Sequence, residues 1–434
     1  MSLSVLLLLL LVCSAQASDF LGTVLTYYPK QTYGSLSVDF HYKQSFRSCL
    51  YNDTWYCPEN NCGYAYTTMN RINMESSGEW CQTETFTTRV FPDNNPFLFV
   101  FDGSAWINNI QNVVAWRAVT WVELRTRSDT GRANTSPQTT VLPALRVPSN
   151  CPRDFSLLAF DPDGDEVKCR HASSSLAECT QCAPPSVLSL SSSCTLSFSP
   201  TNSSNEGPYA VQLVMEDFPR QNITLTRTNG SQEVKTTNNA ISKIPVQFVL
   251  KVVPAVPTCT QGIYLPTFLP PTPANGARLN VTVTRWLDIN IKAEANVSTI
   301  TGLLVSEPHY IINASQNASG PAEFILTWAP SWDQAGKIQT ICFVVQAVHN
   351  GSKYHSDLRC VTVSVEYEVT RPTVPPLPYL VALRVKISLL PKPQINYDDI
   401  WTQINDLLLK YGLSLNSNVQ FVGYLQLQPP VGAT

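Results

Sequence analysis

Apolar and polar residues alternate along most of the first 370 positions of this chain. Between residues 20 and 140, runs such as "LSVDFHY", "TFTTRVF", "FLFVFDG" and "VTWVELRTR" place apolar side chains at every second position, the mark of half-buried strands. Residues 141–254 continue with "FSLLAFDPDGDEVKCR", "SCTLSFSP", "GPYAVQLVMEDF" and "IPVQFVLKVV". Residues 255–368 follow with "ARLNVTVTRWLDINIKAEA", "EFILTWAPSWDQAGKIQTICFVVQA" and "LRCVTVSVEY". Each of these two stretches holds about seven short strands between turn signals over about 110 residues, the size and rhythm of an immunoglobulin-like sandwich. The pattern predicts a mostly β protein of tandem antiparallel β-sandwich domains: a Cys- and Trp-rich domain over 18–140, a second over 141–254 and a third over 255–368.

The pattern changes after residue 368. "VTRPTVPPLPY" (369–379) reads as a stiff Pro-rich linker. Residues 380–434 predict a strand ("LVALRVKIS"), a helix ("NYDDIWTQINDLLLKYG") and a strand ("NVQFVGYLQLQ"). Asn396 caps that helix, Asp398 and Asp399 suit its first turn, Ile400, Ile404, Leu407 and Leu408 form one apolar face, and Gly412 ends it. This β-α-β tail is a small core, marginal by itself.

The N-terminus adds a location. Val5 to Val12 is an unbroken apolar run, too short to span a bilayer, and Ala15-Gln16-Ala17 is an A-x-A cleavage site. Residues 1–17 thus read as a signal peptide, with a mature, secreted chain from Ser18. No later run reaches membrane-spanning length, and the C-terminal "LQLQPPVGAT" lacks the apolar tail of a lipid-anchor signal. Asn-x-Ser/Thr occurs at Asn52, Asn134, Asn202, Asn222, Asn229, Asn280, Asn296, Asn313, Asn317 and Asn350. Behind a signal peptide these are glycosylation sites, each expected on the surface. A sugar coat confines any protein partner to the bare patches. Net charge is -3 with only 14% charged residues and no basic cluster, which argues against a nucleic-acid partner.

Of 13 cysteines, Cys13 leaves with the signal peptide, and the remaining even number implies disulfides. Tying Cys259 back to the middle domain balances the groups. Cys342 and Cys360 lie symmetrically about Asn350-Gly351, a strong hairpin turn, which predicts that they pair across it. Cys179-Thr-Gln-Cys182 has the form of a redox motif, but no helix signal flanks it, so it reads as structural. Zinc is disfavoured in the same compartment, and the only histidine near it is His171.

The features "FDPDGDEVKC", "LSFSP", "GPYAVQLVMEDF" and "VQFVLKVV" of the second segment resemble a cadherin-like domain of the dystroglycan type. The third segment resembles it in "LTWAPSWDQAGKIQTICFVVQA" but reads "IKAEANVS" where the aspartates would stand. The tail resembles part of a sea-urchin-sperm-protein/enterokinase/agrin (SEA-like) module, with strands missing. The whole chain is similar to multidomain vertebrate extracellular proteins without a known role. The resemblance implies extracellular adhesion or recognition, in places with calcium between domains.

Two readings of "DPDGD" follow. Asp161, Asp163 and Asp165, with Asp217 of "VMEDF", could supply oxygens to a cadherin-like calcium site, which needs about six to eight ligands. An EF-hand is excluded, because Glu166 and Ala172 stand where Gly and Glu are required. The other reading is a tight turn, with Asp161 bonding to the backbone two residues on and the loop open to water.

No catalytic constellation emerges. His41, His171, His309, His349 and His355 lie in no metal-binding or nucleophile motif, and each reads as a surface or turn residue. Glu216 and Asp217 are adjacent on a strand and point to opposite faces, which argues against a glycosidase pair. The chain is therefore expected to be a secreted, non-catalytic adhesion or recognition glycoprotein with extracellular protein or glycan partners. The alternatives are a lectin stacking sugars on Trp55, Trp80, Trp106, Trp116 or Trp121, and a structural matrix or coat component; the bland reading of those rings is a sandwich core. Arg-Gly-Asp is absent.

Overall fold

The computed structural model describes residues 19–367, apart from 33–34, 52, 76, 307–310 and 317–320. The stretches expected to be a signal peptide (1–17), a Pro-rich linker (369–379) and a β-α-β tail (380–434) lie outside the described residues. Within them the chain is almost wholly β, with only three single-turn 3-10 helices.

The strand Lys243–Val253 organises the larger part of the protein. One edge pairs antiparallel with Gly207–Phe218, from Glu216 opposite Lys243 to Gly207 opposite Val252. The other edge is shared by three strands in succession. Ala115–Val122 meets it at Trp121 opposite Lys243, Phe20–Thr32 at Val24 opposite Val246, and Ala144–Pro148 runs parallel to Val249–Val253. From Phe20–Thr32 the sheet continues through Ser35–Phe46 and Cys81–Phe91 to Tyr64–Met74, and beyond Gly207–Phe218 it ends on Glu166–His171. With Phe97–Ser104 on Ala115–Val122, the sheet has ten strands.

The boundary expected at 140/141 therefore falls inside one sheet and one hydrophobic core, which runs from Phe20 and Trp55 through Phe155 and Tyr209 to Val252. Residues 19–254 form one body instead of two sandwiches in tandem. The reason is visible in "IPVQFVLKVV": every side chain from Ile244 to Leu250 is buried, so the strand is covered on both faces. Two small sheets complete the body. Leu188–Leu190, Thr195–Phe198 and Arg153–Ser156 form one. Gln232–Lys235, Ile223–Thr226 and Thr126–Arg127 form the other, which again joins the two segments.

Gly22 makes the central pairing feasible. Its φ is +145°, and a Cβ there would stand 2.1 Å from the carbonyl oxygen of Gln247 and 2.7 Å from Cα of Phe248. The backbone of Phe20–Thr32 can approach the central strand only without a side chain at this point.

Residues 260–366 form a sandwich of two sheets. One has the order Thr267–Leu269, Leu287–Glu294, Ala322–Trp328, Ile311–Gln316. The other has Arg278–Thr282, Arg359–Glu366, Ile338–His349 and Thr299–Val305, with Ser352–His355 also on Ile338–His349. Ile341, Phe343, Val345, Val361 and Val363 fill the sandwich core. The alternate positions Cys342, Val344 and Cys360, with Leu304 and Leu358, belong instead to the core of the body. The second sheet is thus apolar on both faces and forms a seam with residues 19–254. Cys342 and Cys360 lie opposite each other in the ladder and are bonded, facing the seam. The other disulfides are Cys49–Cys81, Cys57–Cys62, Cys151–Cys259, Cys169–Cys194 and Cys179–Cys182.

Gly22→Ala is expected to lower the unfolding free energy by about 3 kcal/mol, since it combines backbone strain with a steric clash against main chain. Gly131→Ala is the control: its φ is +69° but its Cβ would meet nothing within 4 Å, so it should cost only about 1 kcal/mol. Urea denaturation of the three proteins measures the difference; equal losses would remove the close-approach argument.

Candidate functional site

The aspartate stretch forms a turn. Asp161 Oδ1 accepts the backbone N–H of Asp163 at 2.8 Å and of Asp165 at 3.2 Å, and Gly164 (φ +88°) lets the chain reverse before the strand Glu166–His171. The turn is only partly open to water: Pro162 and Gly164 are exposed, and Asp161 and Asp163 are half-buried. Asp165 is 7% exposed and Asp217, on the neighbouring strand, is 0% exposed. Asp163 accepts the backbone N–H of Thr135 at 2.7 Å, which ties the turn to the segment leaving the first part of the chain.

The charge at the centre is Arg127, a residue that the sequence pattern does not single out. Its side chain is fully buried. All five of its N–H donors are used. Nη1 donates to Asn134 Oδ1 (2.5 Å) and to Asp165 Oδ2, Nη2 to Asp165 Oδ1 (2.9 Å) and Asp129 Oδ2 (2.8 Å), and Nε to Asp129 Oδ1 (3.0 Å). Burial works to lower the Arg127 pKa, but its hydrogen bonds to Asp165 and Asp129 outweigh that and raise it. The same contact outweighs burial and holds Asp129 below the usual carboxylate range. Asp217 accepts from Ser242 N (2.8 Å) and Oγ (2.6 Å) and from Asn134 Nδ2 (2.7 Å). Burial, with repulsion from Asp217, Asp165 and Asp163, pushes Asp161 well above the carboxylate range. Burial also raises Asp163 and Asp217.

Carboxylate oxygens of Asp161, Asp165 and Asp217 lie within 4.8 Å of one another, close enough for a shared ion. Their lone pairs are largely taken. Both oxygens of Asp165 accept from Arg127, and both oxygens of Asp217 accept from Ser242 or Asn134. Asp161 Oδ2 is buried without a partner. Calcium needs about six to eight oxygens; these carboxylates are part of such a set, and two of them already accept from Arg127, Ser242 and Asn134.

Among the ten sequons, Asn202, Asn222, Asn229, Asn280, Asn296, Asn313 and Asn350 are exposed, and Asn52 and Asn317 lie outside the described residues. Asn134 departs from the expectation of surface exposure. It is 0% exposed, and its Nδ2, the atom a glycan would occupy, donates to Thr135 O (2.9 Å) and Asp217 Oδ2. The rings proposed for sugar stacking also differ from expectation. Trp55, Trp80, Trp106 and Trp116 are buried in the aromatic core, where Phe20 stacks on Trp116 at 4.4 Å, and Trp121 is half-buried. Among the described residues the exposed tryptophans are Trp286 and Trp332, in the sandwich of residues 260–366. His41, His171 and His349 are half-buried and His309 lies outside the described residues, but His355 is buried, against the surface reading. Glu216 turns to Arg170 (Oε1–Nη2 2.6 Å) while Asp217 points inward, so the two do not converge.

A groove lies where the body meets the sandwich. Two cavities of about 480 and 270 Å³ share Tyr28. The body contributes Asp39, Arg132 and Asp163, and the sandwich contributes Gly336, Lys337 and Gln339. Lys337 Nζ bonds Asp39 at 2.9 Å and lies 5.4 Å from the Tyr28 ring centre, and Lys30 bonds Asp39 at 2.5 Å. Burial opposes ionisation of Asp39, and the two lysines outweigh it. Among the described residues no sequon asparagine lines either cavity, though the exposed Asn229 is next to the lining residue Thr228.

No family model and no curated protein matches the chain. Among solved structures, it is similar over 54% of its length to the sialic acid binding region of the Streptococcus sanguinis SK1 adhesin, at 11% identity, covering 78% of that chain with a TM-score of 0.19. It is similar over 53% to the tandem Ig repeats of Dlar (12% identity, 98% of that chain, TM-score 0.20) and over 45% to protocadherin gamma C5 EC1–3 (10% identity, 54% of that chain, TM-score 0.17). The fold class itself rests on the strand pairing above.

Asn134 is expected to carry no glycan in the folded, secreted protein. Enzymatic deglycosylation in heavy-oxygen water followed by peptide mass spectrometry should label Asn202, Asn222 and Asn229 and leave Asn134 unlabelled; substantial labelling at Asn134 would contradict the buried network.

Proposed function

We propose that the mature chain is a secreted, N-glycosylated, non-catalytic recognition or adhesion protein, and that it engages its partner through the groove around Tyr28. The groove carries this reading: it is concave, lined by both parts of the structure, and mixed in aromatic and polar character. Six disulfides and seven exposed sequons support an oxidising, extracellular setting. The dystroglycan-type resemblance of residues 141–254 agrees with adhesion. The lectin alternative loses Trp55, Trp80, Trp106 and Trp116 to the core and keeps only the half-buried Trp121 of its expected stacking residues. The test is to screen residues 18–434 against arrayed ectodomains and glycans. A ligand whose affinity falls tenfold or more with Lys337→Glu supports the reading. Ligands indifferent to Lys337→Glu and lost with Trp286→Ala would move the site to the exposed tryptophans.

The acid cluster is proposed to be a structural staple in which Arg127 does the work of a cation. A calcium-stiffened module is the second reading, favoured by the unpartnered Asp161 Oδ2. A raised carboxyl pKa means that the folded state keeps a proton which the unfolded chain releases above its ordinary value near 4. The carboxyl therefore lowers stability progressively as pH rises from about 4 through its folded pKa. Asp161→Asn keeps the turn-forming oxygen and removes that penalty. At pH 8.5 it should raise stability by about 1–2 kcal/mol, and calcium should leave the wild-type melting temperature unchanged. A calcium-dependent rise that Asp161→Asn abolishes would establish the metal site instead.

A further inference from the structure

His355 sits at the seam between the body and the sandwich of residues 260–366, and is 2% exposed. Its Nδ1 accepts the backbone N–H of Arg146 at 3.3 Å, from the strand Ala144–Pro148 beside the central strand. Its Nε2 lies 3.3 Å from Gln346 Oε1. Arg146 Nη1 stands 3.0 Å from Nε2 and also donates to Gln346 Oε1 at 3.3 Å. Both ring nitrogens thus face donors.

The surroundings are cationic. Arg146 comes from Ala144–Pro148, Lys251 from the central strand, Lys353 from the same short strand as His355, and Arg153 from the small sheet. The acids that answer them are already committed. Glu79 accepts from Arg146 Nη2, Lys251 Nζ (2.5 Å) and Lys353 Nζ. Glu75 pairs with Lys353 at 3.1 Å, and Asp357 with Arg153 at 2.8 Å. Burial opposes the charge on Glu79, but Lys251, Lys353 and Arg146 outweigh it and pull its pKa down to about 2, so it stays ionised through mild acid.

We propose that His355 is a proton-sensitive latch: a second proton on its ring displaces one of the two Arg146 donors that face it, adds a positive charge among Arg146, Arg153, Lys251 and Lys353, and loosens this end of the seam in mild acid. Burial first, then those four cations, hold the imidazole well below its ordinary value. The sign follows. The latch is fully closed above the unfolded-state pKa near 6.5, and its contribution is lost as pH falls below that value, by about tenfold in the opening equilibrium per pH unit. The apolar contacts of Leu304, Val344 and Leu358 do not titrate, so the opening is local to the His355 end.

Hydrogen exchange of the full secreted chain at pH 7.4 and 5.5, with times scaled for the intrinsic rate, tests this. Protection of residues 144–148 and 352–358 should fall about tenfold or more at pH 5.5, while residues 287–294 of the far sheet stay unchanged. His355→Asn places an oxygen near the Nδ1 position and does not titrate, so it should abolish the pH effect. Equal seam protection at both pH values, or the same acid-induced loss in His355→Asn, would overturn the proposal. Should His355→Asn not be secreted, the wild-type contrast between seam and far sheet still decides.

Discussion

The structure hangs on one strand whose two faces and two edges are all occupied. Lys243–Val253 has no solvent side along most of its length, and three strands from earlier in the chain divide one of its edges. A strand so placed cannot slip: a shift by one residue would turn every side chain to the opposite face and break four pairings together. The sheet, the first aromatic core and the position of Ala144–Pro148 all follow from its register. Gly22 is the local condition for this arrangement, because the close approach at Gln247 leaves no room for a Cβ.

Charge is handled in the same body by enclosure. Arg127 and Glu79 are each surrounded by three or more opposite or polar partners, at opposite kinds of junction. Arg127 joins the first part of the body to the turn at Asp161–Asp165. Glu79 joins three cations where the body meets the sandwich. Breaking the buried Arg127 pairs from one side leaves an uncompensated charge and is far more damaging than loss of an exposed pair, while the half-buried Glu79 network lies between the two. Both networks therefore act mainly on geometry: they fix how segments distant in sequence lie against each other.

Local features were legible in the sequence because their causes are local. Alternation marks Phe97–Ser104 and Arg359–Glu366 as strands, Asn350-Gly351 marks a tight turn, and Asp161 marks the turn that its own side chain closes. The long-range features left no such trace. Nothing near Val24 says that it pairs with Val246, so two segments of sandwich length read as two domains. Arg127, Glu79 and His355 occupy polar positions of ordinary alternating strands or loops, and burial there is decided by a partner far along the chain. Asn134 illustrates the same limit: a sequon is a three-residue signal, and its accessibility is settled by Arg127 and Asp217. The tryptophans of residues 55–121 are a case where the bland reading, core filling, describes Trp55, Trp80, Trp106 and Trp116.

The position of the central strand along the chain has a consequence for synthesis. The strand Phe20–Thr32 leaves the ribosome first among the described strands, and its partner on the central strand, Val246, emerges more than two hundred residues later. Until then the N-terminal meander has an open edge and an incomplete core, the kind of surface that pairs with the wrong chain. Cys49–Cys81 closes within this early segment and can hold its strands in order while the rest is made. The body should consequently assemble late and in one step, with the first 240 residues held as a waiting intermediate and no independently folded N-terminal domain.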